Sequence, residues 1–222
     1  MAKPEAPSDR TRIRRLPELA AYDLETLYAI IDASPIAHLG VTDEEGVPVV
    51  LPQLCARQEN RLLLHGSRSN RILKRAVAAE RVCLAFTLVD GLVLARSGFN
   101  STYQYRSATC FGSAQEITDD DERFLALCVL SDRAIPGRRA ELREPLAREL
   151  ALTLVIAVDI EEASSKVSSG GPDDDPADIA SETWAGVIPI EARYGSALAA
   201  ADGEPGRVIP ASVSQLEGKI WR

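Results

Sequence analysis

The chain is poor in the side chains that carry most metal and redox chemistry. Of 222 residues only two are histidines, His38 and His65, and four are cysteines, Cys55, Cys83, Cys110 and Cys128. The cysteines stand far apart, with no CxxC pair and no Cys/His spacing that holds a metal. Each lies in an apolar stretch, which predicts buried free thiols. No apolar run approaches the roughly 18 residues needed to cross a bilayer. The first 20 residues are charged and have no apolar core, so no secretory leader is expected. Neither GxGxxG nor GxxxxGK[ST] occurs, which argues against the nucleotide folds built on those loops. Positive charge is also in deficit, with 25 Lys and Arg against 33 Asp and Glu, a net charge of −8. That balance disfavours nucleic acid and anionic membrane surfaces as partners. Reduced thiols and the missing leader together predict a cytoplasmic setting.

What is present is a globular composition, 45% hydrophobic and 26% charged, enough for one large domain or two small ones. Against the acidic background, Arg and Lys concentrate between Arg61 and Arg81. Within this stretch Arg61–His65 reads as a buried strand, Gly66, Ser67, Arg68, Ser69 and Asn70 as a polar turn, and Lys74 stands one helical turn further on. A helix N-terminus offers unpaired N–H groups and partial positive charge, so this turn is a candidate phosphate cradle. The plainer alternative is a capped surface helix with basic residues on its wet face.

The periodicity predicts a mainly β chain. Asp23 caps a helix to about Ala33, with Leu24, Leu27, Tyr28 and Ile31 on one face. Strands follow at Ile36–Thr42, Val47–Arg57 and Arg61–His65, the first two joined by an Asp43–Gly46 hairpin turn. A basic helix covers Asn70–Ala79. Val82–Val89 is a strand, Asp90-Gly91 a turn, and Leu92–Ser97 continues the sheet. Tyr105–Ile117 reads as one long strand, and Thr118–Glu122 as the capped start of a helix to Leu130. A charged helix is expected over Arg138–Leu150, a strand over Thr153–Ile160 and a long loop over Ser164–Glu182. Residues 1–16 read as a flexible arm and 195–206 as a mobile tail. Six or so hairpin-linked strands with helices between them predict a small antiparallel barrel with peripheral helices.

Four segments in this order carry a resemblance to a known family. They are Tyr22-Asp23 through His38-Leu39-Gly40, Leu62–Ser67 with Lys74, Tyr105-Arg-Ser-Ala108 leading to Phe111-Gly112, and Ser165-Lys166-Val167 followed by an acidic loop and Trp184–Pro189. The chain resembles the FMN-binding split-barrel proteins related to pyridoxamine 5′-phosphate oxidase, within them the branch of nitroimidazole-resistance proteins. The resemblance implies one domain over 17–222 with a C-terminal extension from about 164. It also implies FMN at the interface of a homodimer, with haem or a deazaflavin, which related barrels hold, as the alternatives.

Carried residue by residue, it places Gly66, Ser67, Arg68, Asn70 and Lys74 at the phosphate. Leu51, Pro52 and Gln53 run along the flavin ring, and Tyr105, Arg106 and Ser107 lie on a further cofactor strand. Trp184 either stacks near the flavin or anchors the C-terminal segment. His65 is the candidate catalytic group, a proton donor beside the cofactor; its alternative is a strand-end histidine satisfied by backbone. His38, which alternates with apolar residues, reads as structural. Lys166 matches a family lysine, but Ser168 stands where a basic residue is expected. The implied activity is reduction of a small acceptor, a nitro compound or quinone, with a nicotinamide donor. The alternative is a flavin-binding sensor or stress-related protein without turnover.

Overall fold

Burial alternates with a period of two along 36–42 and 82–94, whereas 62–64 and 154–158 are buried continuously. A computed structural model describes residues 5–202, 206 and 208–221. In chain order the elements are β1 (Ala20–Ala21), α1 (Leu24–Ala33), β2 (Ile36–Thr42), β3 (Pro48–Gln58), β4 (Arg61–Ser67), α2 (Arg71–Ala78), β5 (Val82–Leu94), β6 (Thr102–Gly112) and β7 (Ala114–Glu116). There follow α3 (Asp120–Ala134), a 3-10 turn at Arg138–Glu141, α4 (Ala147–Ala151), β8 (Thr153–Asp159), β9 (Glu162–Ser168), α5 (Pro176–Ile179), β10 (Gly186–Pro189) and α6 (Ala211–Ser214).

Local chemistry explains the helix starts. The Asp23 carboxylate accepts the Thr26 N–H at 2.7 Å, and Asp119 accepts the Glu122 N–H at 2.9 Å. Asp43 accepts from both Glu45 and Val47 and closes the first hairpin. The strands pair in the order β1-β9-β6-β5-β2-β3-β4-β8-β7, with β10 added to β5. Every pairing among the described strands is antiparallel. This is the split barrel expected from the sequence.

The core has two parts. The larger lies inside the barrel and includes Ile30, Leu39, Leu62, Leu64, Leu84, Phe86 and Ile156. The smaller lies between the outer side of β4 and β8 and helix α3, with Leu63, Val155, Ala126 and Leu130. Strand β4 is therefore buried on both faces. Gly112 marks the tightest approach in the sheet, where an added Cβ would stand 1.7 Å from the Asp159 carbonyl oxygen.

Several expectations are corrected. The sheet has ten strands rather than six or so. Asp90-Gly91 is not a turn: β5 runs through it, and the ladder shifts register between Val89 and Gly91 as a bulge. Pairing with β6 on one side and β10 on the other holds the chain extended there. The long strand breaks at Ser113 into β6 and β7. The charged helix over 138–150 is interrupted at 142–146, because Pro145 keeps the residue before it out of the helical region. The expected loop over 164–182 begins as β9, a polar strand ordered by β6 and β1 rather than by its own side chains.

Within the expected N-terminal arm, Thr11 is only 2% exposed and the Ile13 N–H donates to the Tyr22 hydroxyl at 2.9 Å. Residues 1–4 of the arm, and 203–205 of the expected mobile tail, lie outside the described residues. All four thiols are free, three of them buried and Cys83 half-buried. No helix of the described residues is long and apolar enough to cross a membrane.

Gly112→Ala is expected to cost about 3 kcal/mol or more, since backbone rather than a flexible side chain must yield. A urea midpoint within error of wild type would show that this approach is not required.

Candidate functional site

Strand β4 alternates, so His65 lies on the same side as Leu63, under α3 rather than inside the barrel. Beyond Leu63 the helix no longer covers the strand. His65 opens there into a cavity of about 810 Å³. That lies in the upper part of the roughly 300–1,000 Å³ range of cofactor sites. Phe124, Leu127 and Cys128 of α3 and Leu150 of α4 give it apolar walls. The charged groups Asp132, Arg139, Arg143, Glu144 and Glu149 stand around its mouth.

The imidazole is uncommitted. His65 Nδ1 is buried without a hydrogen-bond partner, and none reaches the ring among the described residues. Burial alone pushes its pKa down. The ring is therefore neutral at pH 7, with a lone pair available to a metal or a donor.

At the mouth, Arg143 forks onto Glu149, Nη1 to Oε2 at 2.9 Å and Nη2 to Oε1 at 2.6 Å. That fork and the Leu146 N–H bring the Glu149 carboxyl down to about 2. Arg139 is held only by a 3.4 Å contact to Asp132.

A second region lies at the head of α2. The Ser67 and Ser69 hydroxyls are 2.9 Å apart. Asn70 caps the helix, its Oδ1 accepting from Ile72 and Leu73, and its own N–H donates to the Ser67 carbonyl. Gly66 is needed for this packing, because a Cβ would meet Leu73 Cδ1 at 2.9 Å. Arg68 turns away, Nε to the Ala151 carbonyl at 3.1 Å and Nη1 to Glu116 at 2.9 Å. Lys74 is exposed, and neither it nor Arg71 has an ion pair or side-chain hydrogen bond among the described residues. Of the predicted cradle, Asn70 and Arg68 are thus engaged within the fold, while Lys74, like its neighbour Arg71, has no side-chain partner among the described residues.

The remaining predicted residues divide by strand parity. Pro52, Tyr105 and Ser107 share the outer sheet face: Pro52 pairs with His38, and Tyr105 with Val89. Exposed Val50 and Val89, 62% and 47% accessible, make this face apolar. Leu51, Gln53 and Arg106 point to the other side. Arg106 is engaged by Asp90, Nε to Oδ2 at 2.8 Å and Nη2 to Oδ1 at 2.7 Å. Trp184 is 65% exposed and folds over Gly186 at the start of β10. Lys166 donates to the Arg15 carbonyl. The sequence reading missed two features. His38 is exposed on the outer face, and Arg139 lines the same cavity as His65. The His38 alternation carried that signal; Arg139 had none.

Residues 23–167 match the model of the pyridoxamine 5′-phosphate oxidase family, and the chain belongs to that family. It is similar to a flavocytochrome from Azotobacter vinelandii, at 39% identity over 97% of this chain and 100% of that one, with a TM-score of 0.90. It is similar also to a FAD and haem binding protein from Mycobacterium smegmatis, at 39% identity over 92% and 99%, with a TM-score of 0.87. A candidate 5-nitroimidazole resistance protein from Bacteroides thetaiotaomicron shares the fold, at 22% identity over 67% and 86%, with a TM-score of 0.58. No curated protein matches the sequence.

The depressed His65 pKa sets a pH dependence. Below the ordinary imidazole value of about 6.5 the unfolded chain takes up a proton that the folded chain resists. Wild type is therefore expected to lose stability relative to His65→Gln as pH falls from about 6.5, the loss levelling below the folded-state pKa. Urea midpoints that stay parallel from pH 7.5 to pH 5 would refute a buried, unpartnered imidazole.

Proposed function

We propose that this chain is a flavin-dependent oxidoreductase that works as a homodimer and carries a haem in the cavity under α3. One observation carries the reading. The half-buried imidazole of His65, its Nδ1 buried without a partner, lines a cavity of about 810 Å³ together with apolar side chains of α3 and α4. It does so in a chain 39% identical to a flavocytochrome and to a FAD and haem binding protein.

The residues fit both groups. Neutral imidazole is the form that would ligate iron, and none of the described residues engages the His65 ring. Phe124, Leu127 and Leu150 offer an apolar porphyrin a dry wall. Ser67, Arg71 and Lys74 offer charge and hydroxyl donors to a flavin phosphate, and Pro52, Tyr105 and Ser107 offer the ring a flat face. The Mycobacterium smegmatis relative favours FAD over the FMN that the sequence resemblance implies. The apolar outer face around Val50 and Val89 suits a second copy of the chain.

When bound, the flavin supplies hydride chemistry with a nicotinamide donor and the haem supplies one-electron chemistry. The protein's own part is to hold and shield. His65 gives up the proton-donor role read from sequence and becomes the iron ligand. Lys74 and Arg71 neutralise phosphate charge, and Phe124, Leu127 and Cys128 of α3 wall the cavity beside the imidazole. A small acceptor such as a nitro compound or quinone completes the reaction.

The purified chain is expected to show both flavin bands and a Soret band that survive desalting. His65→Ala is expected to lose the Soret band and keep the flavin. Ser67→Ala with Lys74→Ala is expected to weaken flavin binding by about 2–4 kcal/mol together. A protein that stays colourless after incubation with FAD, FMN and hemin would overturn the reading. Bound flavin with no NADH or NADPH oxidation in the presence of nitro and quinone acceptors would leave a sensor in place of an enzyme.

A further inference from the structure

The cavity under α3 is lined by His65, by apolar side chains, and by two arginines and three carboxylates, of which Asp132, Arg139, Arg143 and Glu144 are exposed. These charged groups are not equivalent. Arg143 is closed in a two-pronged fork with Glu149, which also accepts the Leu146 N–H. That pair braces the start of α4. Arg139 has a single 3.4 Å contact to Asp132, and its side chain is 44% exposed. Reorienting it breaks little.

The backbone that carries Arg139 is nonetheless fixed. It lies in the turn Arg138–Glu141, whose Glu141 accepts from both the Ser212 N–H and hydroxyl. Gln215 Nε2 donates to the Pro136 carbonyl at 3.1 Å. The C-terminal segment around α6 thus pins the cavity's outer wall, leaving one mobile cation on a fixed mount.

Resting on the haem reading, we infer that Arg139 is the carboxylate anchor of the tetrapyrrole and that the site therefore selects a porphyrin with free propionates. A haem is apolar except for its iron and its two carboxylates. This one cavity is lined by an imidazole, by apolar side chains and by an exposed, loosely held guanidinium. Guanidinium and carboxylate meet in a charge-assisted fork, stronger than the long contact to Asp132 that it replaces. Arg143 stays with Glu149 and acts only by holding α4.

The test titrates the full-length, haem-free chain with hemin and with hemin dimethyl ester, following the Soret band. Wild type is expected to bind the ester at least about tenfold more weakly than hemin. Arg139→Ala is expected to bind hemin about tenfold more weakly with an unshifted Soret maximum, because His65 still ligates, and to bind the ester as wild type does. Arg139→Lys is expected to recover part of the loss. Equal affinity for hemin and ester, or an Arg139→Ala variant that binds hemin like wild type, would overturn the anchor while leaving the haem reading intact. A wild-type chain that gives no Soret band with hemin would overturn both. The arginine is exposed, so its replacement leaves the fold in place; an unchanged urea midpoint checks this.

Discussion

The burial of β4 on both faces is the constraint from which the rest follows. A strand with one wet face could shift outward freely. This one is clamped between the barrel interior, through Leu62 and Leu64, and helix α3, through Leu63. Side-chain alternation then leaves His65 no choice of side. It emerges under α3, where a helix that covers Leu63 fails to cover the next residue on the same face. The cavity is the consequence of a helix and a strand that diverge.

The same strand divides the molecule functionally. On its far side β2, β3, β5 and β6 present an outer face where His38 pairs with Pro52 and Val89 with Tyr105. On its near side lies the His65 cavity. At its end the polar turn feeds α2, with Lys74 and Arg71 free of ion pairs among the described residues. One strand and its turn thus touch both candidate cofactor regions. Most of the other basic side chains named above are engaged in structure. Arg68 ties the turn to β7 and α4, and Arg106 closes the β5 bulge through Asp90.

The C-terminal third has a supporting role. β9 and β10 add to edges of the sheet, and α6 holds the turn that forms the cavity's outer wall. Few of these residues are buried. Their order comes from ladder and side-chain hydrogen bonds, not from a core of their own.

The sequence by itself determined the antiparallel strands, the capped starts of α1 and α3 and the helix after the polar turn. Each is set by nearest-neighbour chemistry: alternation, an Asp acceptor, a Gly-Ser-Asn turn. The resemblance carried by Leu62–Ser67 and Tyr105–Ala108 extended this to the family. The sequence also marked His65 as the titratable group of interest. Only the tertiary structure decided what His65 faces, because that depends on α3, sixty residues away in the chain and packed across β4. It alone separated Arg68 and Arg106, engaged by partners distant in sequence or across a strand, from Lys74, which has none among the described residues. Arg139 could not be read at all: it is one arginine among several in a charged stretch, and what distinguishes it is a cavity that forms only when β4, α3 and α4 meet. Polar β9 was invisible for the same reason, since its strand character is imposed by the ladders on either side.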